Sequence, residues 1–224
     1  PKIINDTINE LAAPLSAIFN LSFNKGVFPD QLKIARVVPI YKNDDRTSVN
    51  NYRPISVLPF FSKIIERLMY NRTLDFLNKN EILAKNQYGF RENHSTSMAL
   101  IKLIDQITEE LNNKQFSIGI FIDLSKAFDT IDHSILIQKL QRYGIRGIAL
   151  DWFKSYLQNR QQYVSIGDKN SSLRPVFCGV PQGSIMGPLL FIVYINDITN
   201  VSKLANLIMF SDDTNLFYSH NNLD

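Results

Sequence analysis

Two neighbouring carboxylates, Asp212 and Asp213, stand between the apolar runs Ile208-Met209-Phe210 and Leu216-Phe217-Tyr218. Apolar residues entering and leaving a short Ser-Asp-Asp-Thr-Asn stretch predict two strands joined by a tight turn with acid at its tip. A third carboxylate, Asp123, closes the nearly continuous apolar run Phe116 to Ile122, as expected of a strand buried on both faces. A carboxylate at the end of such a strand is costly unless it is paired or bound to metal, so Asp123 asks for a partner. Each acid also has a plainer explanation. Asp is a common turn residue for backbone reasons, and Asp123 could cap a helical turn beginning at Leu124.

The elements that must position these residues follow from periodicity and punctuation. Ala12 to Phe23 has Leu15, Ile18, Phe19 and Phe23 at helical spacing and stops near Gly26. Lys33 to Tyr41 has the β-branched content of a strand, and a polar turn through Lys42 and Arg46 leads to a second extended segment from Tyr52 to Leu58. From Ser62 a helix is expected, with Ile64, Ile65, Leu68, Met69 and Leu77 inward and Glu66, Arg67 and Arg72 on other faces. Ser95 and Thr96 suit the cap of a helix over 97–112, whose buried stripe is expected at Leu100, Ile104, Ile107 and Leu111. Asp132-His133-Ser134 caps a helix to Tyr143, and Ile148 to Leu157 forms another with Trp152, Phe153 and Tyr156 as core. Two strands, Gln162 to Ile166 and Leu173 to Cys178, flank a turn at Gly167-Asp168-Lys169-Asn170. A glycine- and proline-rich bend, 179–184, then opens onto an apolar helix through Tyr194; such a bend lets backbone approach a ligand closely, or simply turns a strand into a helix.

Composition bounds the possibilities. The chain has 224 residues, 45% hydrophobic and 20% charged, enough for one large domain or two lobes with a sizeable core. Net charge is only +3, but residues 1–103 carry 14 Lys+Arg against 9 Asp+Glu while residues 104–224 carry 10 against 12. A basic half beside a slightly acidic one suits a polyanion contact next to a cation site, although solvated helix faces produce similar counts. Cys178 is the single cysteine, which excludes an internal disulfide and reads as a buried structural thiol in a reducing, intracellular compartment. The longest apolar run, Leu189 to Ile195, falls far short of the roughly 20 residues of a membrane span, and no targeting signal precedes the first helix. His94, His133 and His220 are isolated, so a zinc site is not expected. Pro1 opens the chain without a Met, as expected of a piece of something longer.

Five motifs stand in order along the chain: Tyr52-Arg53-Pro54-Ile55-Ser56, Gln87-Tyr88-Gly89-Phe90-Arg91, the run from Phe121 through Asp123 to Phe128-Asp129, Gly179-Val180-Pro181-Gln182-Gly183-Ser184, and Phe210-Ser211-Asp212-Asp213. With them, from about Leu32 to its end, the chain resembles the reverse transcriptases of non-LTR, LINE-like retrotransposons, the jockey-like group above all. The resemblance implies an α+β, right-hand polymerase with fingers and palm, an antiparallel palm sheet with packed helices, and the thumb absent. Residues 1–115 would be a fingers-like lobe, and 116–224 a palm with a fingers-side insertion around 140–175, truncated before the thumb. The implied reaction is RNA-directed DNA synthesis, extending a primer on an RNA or DNA template with dNTPs.

That chemistry needs in-line attack at the α-phosphorus, and two Mg²⁺, or Mn²⁺ in their place, stabilise the charge on attacking and leaving oxygens. Carboxylates are the hard ligands such ions require, so the resemblance makes Asp123, Asp212 and Asp213 the catalytic metal ligands. By position, Phe128 becomes the aromatic that crowds the sugar 2′ position and favours dNTPs, with core packing as its plainer role. Gln182 and Gly183 line the nascent base pair. Arg53, with Lys42 before it, clamps the triphosphate, because guanidinium binds phosphate bidentately and Lys acts as a point charge. Leu124 joins this substrate-binding set, and Arg91 touches template backbone or supports the fingers. RNA template, DNA primer or target and dNTPs are the implied partners, with no membrane, and the nucleus and/or cytoplasm is the implied location.

Two departures qualify the resemblance. Ser211 replaces a small apolar residue, commonly Ala, and is small enough to be tolerated. The chain also stops at Asp224, where the family's palm continues to a lysine proposed as general acid, a primer grip and a helical thumb, so weak or no extension is expected of this chain alone. The alternative to a polymerase core is a truncated or domesticated remnant that binds nucleic acid without catalysis. A group II intron maturase-like enzyme is a nearer variant of the first reading.

Overall fold

Residues 6–124 and 126–222 are described by the computed structural model; Pro1, Ser125 of the third motif and Asp224 lie outside the described residues. The chain begins with helix α1 (Ile8–Lys25), which ends where Gly26 adopts φ 63 and donates its N–H to the Phe23 carbonyl. Strand β1 (Ile34–Tyr41) and strand β2 (Tyr52–Val57) then run antiparallel around the polar loop, before the long helix α2 (Phe60–Lys79). Helix α3 (Thr96–Asn112) starts at Ser95, whose hydroxyl accepts the Met98 N–H, and leads into strand β3 (Phe116–Asp123). Helix α4 (His133–Arg142) is capped by Asp132, which accepts from the N–H groups of Ser134 and Ile135, and is followed by α5 (Ile148–Leu157). Strands β4 (Arg160–Ile166), β5 (Lys169–Asn170) and β6 (Arg174–Val176) precede helix α6 (Met186–Ile195) and the hairpin of β7 (Asn206–Phe210) and β8 (Asp213–His220).

The strands form two sheets. In the first, β1 lies between β2 and β4, with β5 and β6 both paired to β4; β1 and β4 are parallel, the other pairs antiparallel. Residues 160–176 therefore join the sheet of residues 34–57. The second sheet has the order β3-β8-β7 and is antiparallel throughout. The larger core cluster is built from the helices and the loops that join them. Trp152 stacks on Tyr156 at 5.5 Å, and Phe28 meets both rings edge-on. Helix α6 is apolar on every side, and seven of its ten residues are buried, as an all-round hydrophobic helix must be. No described helix is long and apolar enough to cross a membrane.

Several local expectations are corrected by packing. Strand β3 is exposed along all eight residues and pairs with β8 alone. Asp123 is thus solvent-facing and bears no burial cost. On α3 the expected stripe holds only at Ile107: Leu100, Ile104 and Leu111 are exposed, while Ala99 and Leu103 join Ile107 in packing toward Ile208 and Phe217 of the second sheet. The helix carries apolar residues around more than one face, so periodicity alone did not select the face the sheet would cover. On α2 the buried face includes Ser62, Glu66 and Thr73 beside Ile65 and Met69, and Leu68 is exposed. Cys178 is exposed, since its segment runs over the surface ahead of the glycine bend. The turn between β4 and β6 is tighter than expected, because Lys169 and Asn170 already pair with Ile166 and Ser165.

Candidate active site

The second sheet brings two of the three acids face to face. Asp123, the last residue of β3, is the register partner of Asp213, the first residue of β8, and Asp213 is in turn opposite Phe210 of β7. Only Ser211 and Asp212 remain for the turn, a two-residue connection in which Ser211 has φ 60. A positive φ at the first turn residue suits the right-handed twist of a hairpin and normally favours glycine. Asp123 and Asp213 are exposed, Asp212 is half-buried, and none of the three carboxylates makes a side-chain hydrogen bond or ion pair within the described residues. Asp123 and Asp213 both line an open cavity of about 390 Å³ that extends under Thr96 and Ala99 of α3.

Among the described residues no three His, Cys, Asp or Glu side chains converge closely enough to hold a metal between them. The donor set nevertheless fits a hard divalent cation. Its oxygens are uncommitted, those of Asp123 and Asp213 belong to exposed residues, and Mg²⁺ characteristically takes one or two carboxylates, keeps several waters and completes its shell with substrate phosphates.

A second convergence surrounds the glycine bend. Gly179 has φ 80, and a Cβ there would lie 2.7–2.8 Å from the backbone of Asp129. The bend is laced to the loop after β3: Gly179 N–H donates to Ile131 O, Val180 N–H to Phe128 O, and His133 Nε2 lies 2.7 Å from Gly179 O. Gln182 donates its side-chain amide to both carboxylate oxygens of Asp129, and its carbonyl accepts the Ser56 N–H of β2 at 2.7 Å. Gly183, exposed at φ 117, leaves no room for a side chain, since a Cβ would sit 2.6 Å from Ser56 O. Beyond the bend, the fully buried Glu66 of α2 accepts the N–H groups of Ile185 and Met186 and the Ser62 hydroxyl. These are free donors at the start of α6, so Glu66 caps that helix from outside. Burial pushes the Glu66 carboxyl above its usual range, against the pull of these N–H groups and of the Arg160 charge.

The remaining predicted positions fall on two flanks. Lys42 and Arg53 are exposed at the loop end of the β1–β2 hairpin, with Arg53 opposite Ile40, and Lys42 donates its backbone N–H to Asn51 O. Neither side chain has an ion-pair partner among the described residues. Arg53 is three residues along β2 from Ser56, roughly 10 Å in an extended strand. Phe128 is half-buried: its ring stacks on Phe191 of α6 at 5.0 Å and meets Phe90 edge-on at 5.9 Å. Leu124 is also half-buried against the main core. Arg91 donates from Nη1 to Ala84 O, 2.8 Å away, bracing its own segment.

Four residues with evident positioning contacts carried no role in the sequence reading: Gln87, Asp129, His133 and Glu66. Gln87 and Asp129 lie inside quoted motifs, where only their neighbours had been given functions. Gln87 is buried and reaches the Ser211 backbone, and around it Tyr88 N–H donates to Met209 O while Met209 N–H donates to Asn86 O. Glu66 could have been noticed as an acid one turn from Ser62 and three residues from Met69, within the same helical face.

Residues 40–223 match the family model described as reverse transcriptase (RNA-dependent DNA polymerase). The RNA-directed DNA polymerase from mobile element jockey of Drosophila melanogaster is 36% identical over 208 residues, covering 89% of this chain and 23% of that protein. The probable RNA-directed DNA polymerase from transposon BS of the same species is 35% identical over 221 residues, covering 92% and 24%. The chain spans about a quarter of the length of these curated relatives. Among solved structures, apo telomerase from Candida tropicalis truncated from its C-terminal domain aligns with a TM-score of 0.62 over 96% of this chain and 49% of that one. At 13% identity this is a likeness of fold.

Proposed function

We propose, since this chain belongs to the reverse transcriptase (RNA-dependent DNA polymerase) family, that the acid hairpin and the strand end opposite it form the nucleotidyl-transfer centre of an RNA-directed DNA polymerase. The observation that carries this reading is the register pairing of Asp123 with Asp213, two exposed and uncommitted carboxylates beside the Ser211–Asp212 turn. The family uses divalent metals, and we read the ions here as two Mg²⁺, replaceable by Mn²⁺, with Asp123, Asp212 and Asp213 as their protein ligands. Metal held there supplies charge neutralisation at the reacting phosphate and a more acidic primer hydroxyl.

The chain's own residues then bind and orient. Arg53 and Lys42, at the loop end of the first sheet, hold the triphosphate by charge-assisted hydrogen bonds. Phe128, backed by Phe191, crowds the sugar 2′ position and excludes a 2′-hydroxyl. Gly183 allows backbone to approach the nascent base pair, Gln182 fixes that bend through Asp129, and Leu124 supports the floor below. Arg91 acts by bracing the segment that faces the hairpin. In this reading residues 1–115, with 140–175, build the fingers side and the rest of 116–224 the palm. RNA template, DNA primer and dNTPs are the partners. A telomerase of Candida tropicalis with a comparable fold, TM-score 0.63, has been solved with a fragment of telomeric RNA, which supports a nucleic-acid partner here. Copying RNA and delivering DNA places the work in the cytoplasm and/or nucleus.

Single-nucleotide addition to a DNA primer on an RNA template tests the reading. This chain alone should add the complementary dNTP weakly or not at all; extended through the family's thumb segment it should add it in Mg²⁺, and Asp123→Asn or Asp212→Asn should then lower the rate on the order of a hundredfold or more, as loss of a charge-stabilising group does. Retained addition in either variant would sink the assignment. Duplex binding without addition even by the chain extended through the family's thumb segment would move the reading to a non-catalytic nucleic-acid binder.

A further inference from the structure

We propose that Gln87 is a positioning residue that locks the turn immediately ahead of Asp212, so that the place of the acid pair is set from the segment before α3. The consequence for metal rests on the reading of Asp212 and Asp213 given above; the lock itself rests on geometry alone.

Ser211 has nowhere within its own hairpin to satisfy its backbone. Strand β7 ends at Phe210 and β8 begins at Asp213, and those two residues are paired with each other. Ser211 is itself buried, so its N–H and C=O require partners from the protein. One side chain supplies both. Gln87 Oε1 accepts the Ser211 N–H at 3.0 Å, and Gln87 Nε2 donates to the Ser211 carbonyl at 3.2 Å. The same Oε1 accepts the Gly89 N–H at 2.7 Å, which holds the amide in one orientation. A primary amide is the side-chain group that offers an acceptor and a donor side by side in this way. Gln87 is only 3% exposed, so water does not compete for these bonds.

The backbone being locked is an unfavourable one. Ser211 holds φ 60, and a non-glycine residue stays in that region only where its surroundings over-determine it. Gly89 is part of those surroundings, since a Cβ at position 89 would lie 2.1 Å from Ser211 N and 2.7 Å from its Cα. The segment that carries Gln87 is anchored in turn. Arg91 Nη1 donates to Ala84 O, and Asn196 at the end of α6 accepts the Ala84 N–H and donates to Ile82 O. Support therefore runs from α6 through residues 82–91 to the turn, and the residue after the locked peptide is Asp212.

Two isotope-edited NMR readouts on the chain test the proposal: exchange of the Ser211 amide hydrogen, and the Mn²⁺ concentration that half-broadens the Asp212 and Asp213 amide signals. Gln87→Met keeps the volume and removes every side-chain hydrogen bond of the lock. It should speed Ser211 exchange by about tenfold or more, the ratio that loss of one hydrogen bond brings. It should also raise the half-broadening Mn²⁺ concentration several-fold while amides of the β1–β2 pair exchange as before. Gln87→Glu keeps the acceptor and should fall between the two, which also guards against a Met variant that fails to fold. Unchanged Ser211 exchange in both variants would overturn the lock, and changed exchange with unchanged Mn²⁺ dependence would overturn its positioning of the acids. An unmodified chain in which Mn²⁺ leaves the hairpin signals untouched would refute the metal reading, and with it that positioning role, while the exchange measurement would still decide the lock.

Discussion

Gln182 gives its side-chain amide to both carboxylate oxygens of Asp129, at 3.0 and 3.1 Å, across 53 residues of sequence. The pair joins the loop that follows the first acid to the glycine bend, and the Gln182 carbonyl continues the connection to Ser56 of the first sheet. Hydrogen bonds to a charged group contribute more than neutral ones, so this link should be visible in stability. Asp129→Ala is expected to lower the unfolding free energy by about 1.5–3 kcal/mol in urea titration, and Asp129→Asn, which keeps an acceptor, by clearly less. Equal losses in the two variants would mean that the charge plays no part.

Glu66 predicts a pH dependence with a definite sign. Burial raises its carboxyl in the folded chain above the ordinary glutamate value of 4.5 that the unfolded chain retains. Below that value both states are protonated and the group is neutral to stability. As pH rises past it the unfolded chain releases the proton first, so stability declines through the window up to the raised folded value and stays lower above it. Glu66→Gln can still accept from Ile185 and Met186 and removes this decline. The melting temperature of the variant, relative to the unmodified chain, should therefore rise as pH increases from about 4 and level off once the raised folded-state value is passed. A difference that is flat or falls with pH would contradict the assignment.

Phe128→Val separates the gate from the packing role. As a gate, the ring should discriminate by its bulk, and its loss should raise the ratio of rNTP to dNTP incorporation by about tenfold or more, the scale of a steric contact worth 1–3 kcal/mol. The stack on Phe191 would be lost in either case, so a modest fall in stability is expected and decides nothing. An unchanged sugar ratio would leave Phe128 as core alone.

Arg53 and Lys42 make separable predictions because their head groups differ. Arg53→Ala should raise the KM for dNTP on the order of tenfold, with Arg53→Lys recovering only part, since a point charge does not replace a bidentate fork. Lys42→Ala should have the smaller effect, and it should shrink further at high salt, as an exposed single charge does. Steady-state kinetics with one incoming nucleotide distinguishes these outcomes.

What the sequence disclosed well was local. The Asp132 cap, the Gly26 stop, the glycine bend into α6 and the hairpin around Ser211 and Asp212 depend on turn and cap chemistry within a few residues, and each lies where the pattern predicts. What it disclosed poorly was which surface a given element would find. Strand β3 has the composition of a buried strand yet sits at a sheet edge, and α3 presents Ala99 and Leu103 rather than Leu100 and Ile104 to its neighbour. Those choices are tertiary, and periodicity records only that an apolar face exists. The motifs behaved in a third way. They marked Gln87, Ser211, Asp129 and Gln182 as members of conspicuous stretches, but the bonds between them span 124 and 53 positions. No single stretch contains both ends of either bond.

The exposed edge position of β3 bears on the order in which the molecule comes apart. Asp123 is carried by a strand held through one ladder, to β8, with Phe121 70% exposed and Ile120 54% exposed beside it. Asp213 belongs to a strand flanked on both sides. On warming, the outer stave should peel from its neighbour while the Trp152 core is still intact, because local opening begins where buried contacts are fewest. One half of the acid pair would then leave the other before the fold is lost, so that on the proposed reading any nucleotidyl transfer would cease at a temperature where the protein still looks folded by its aromatic signals.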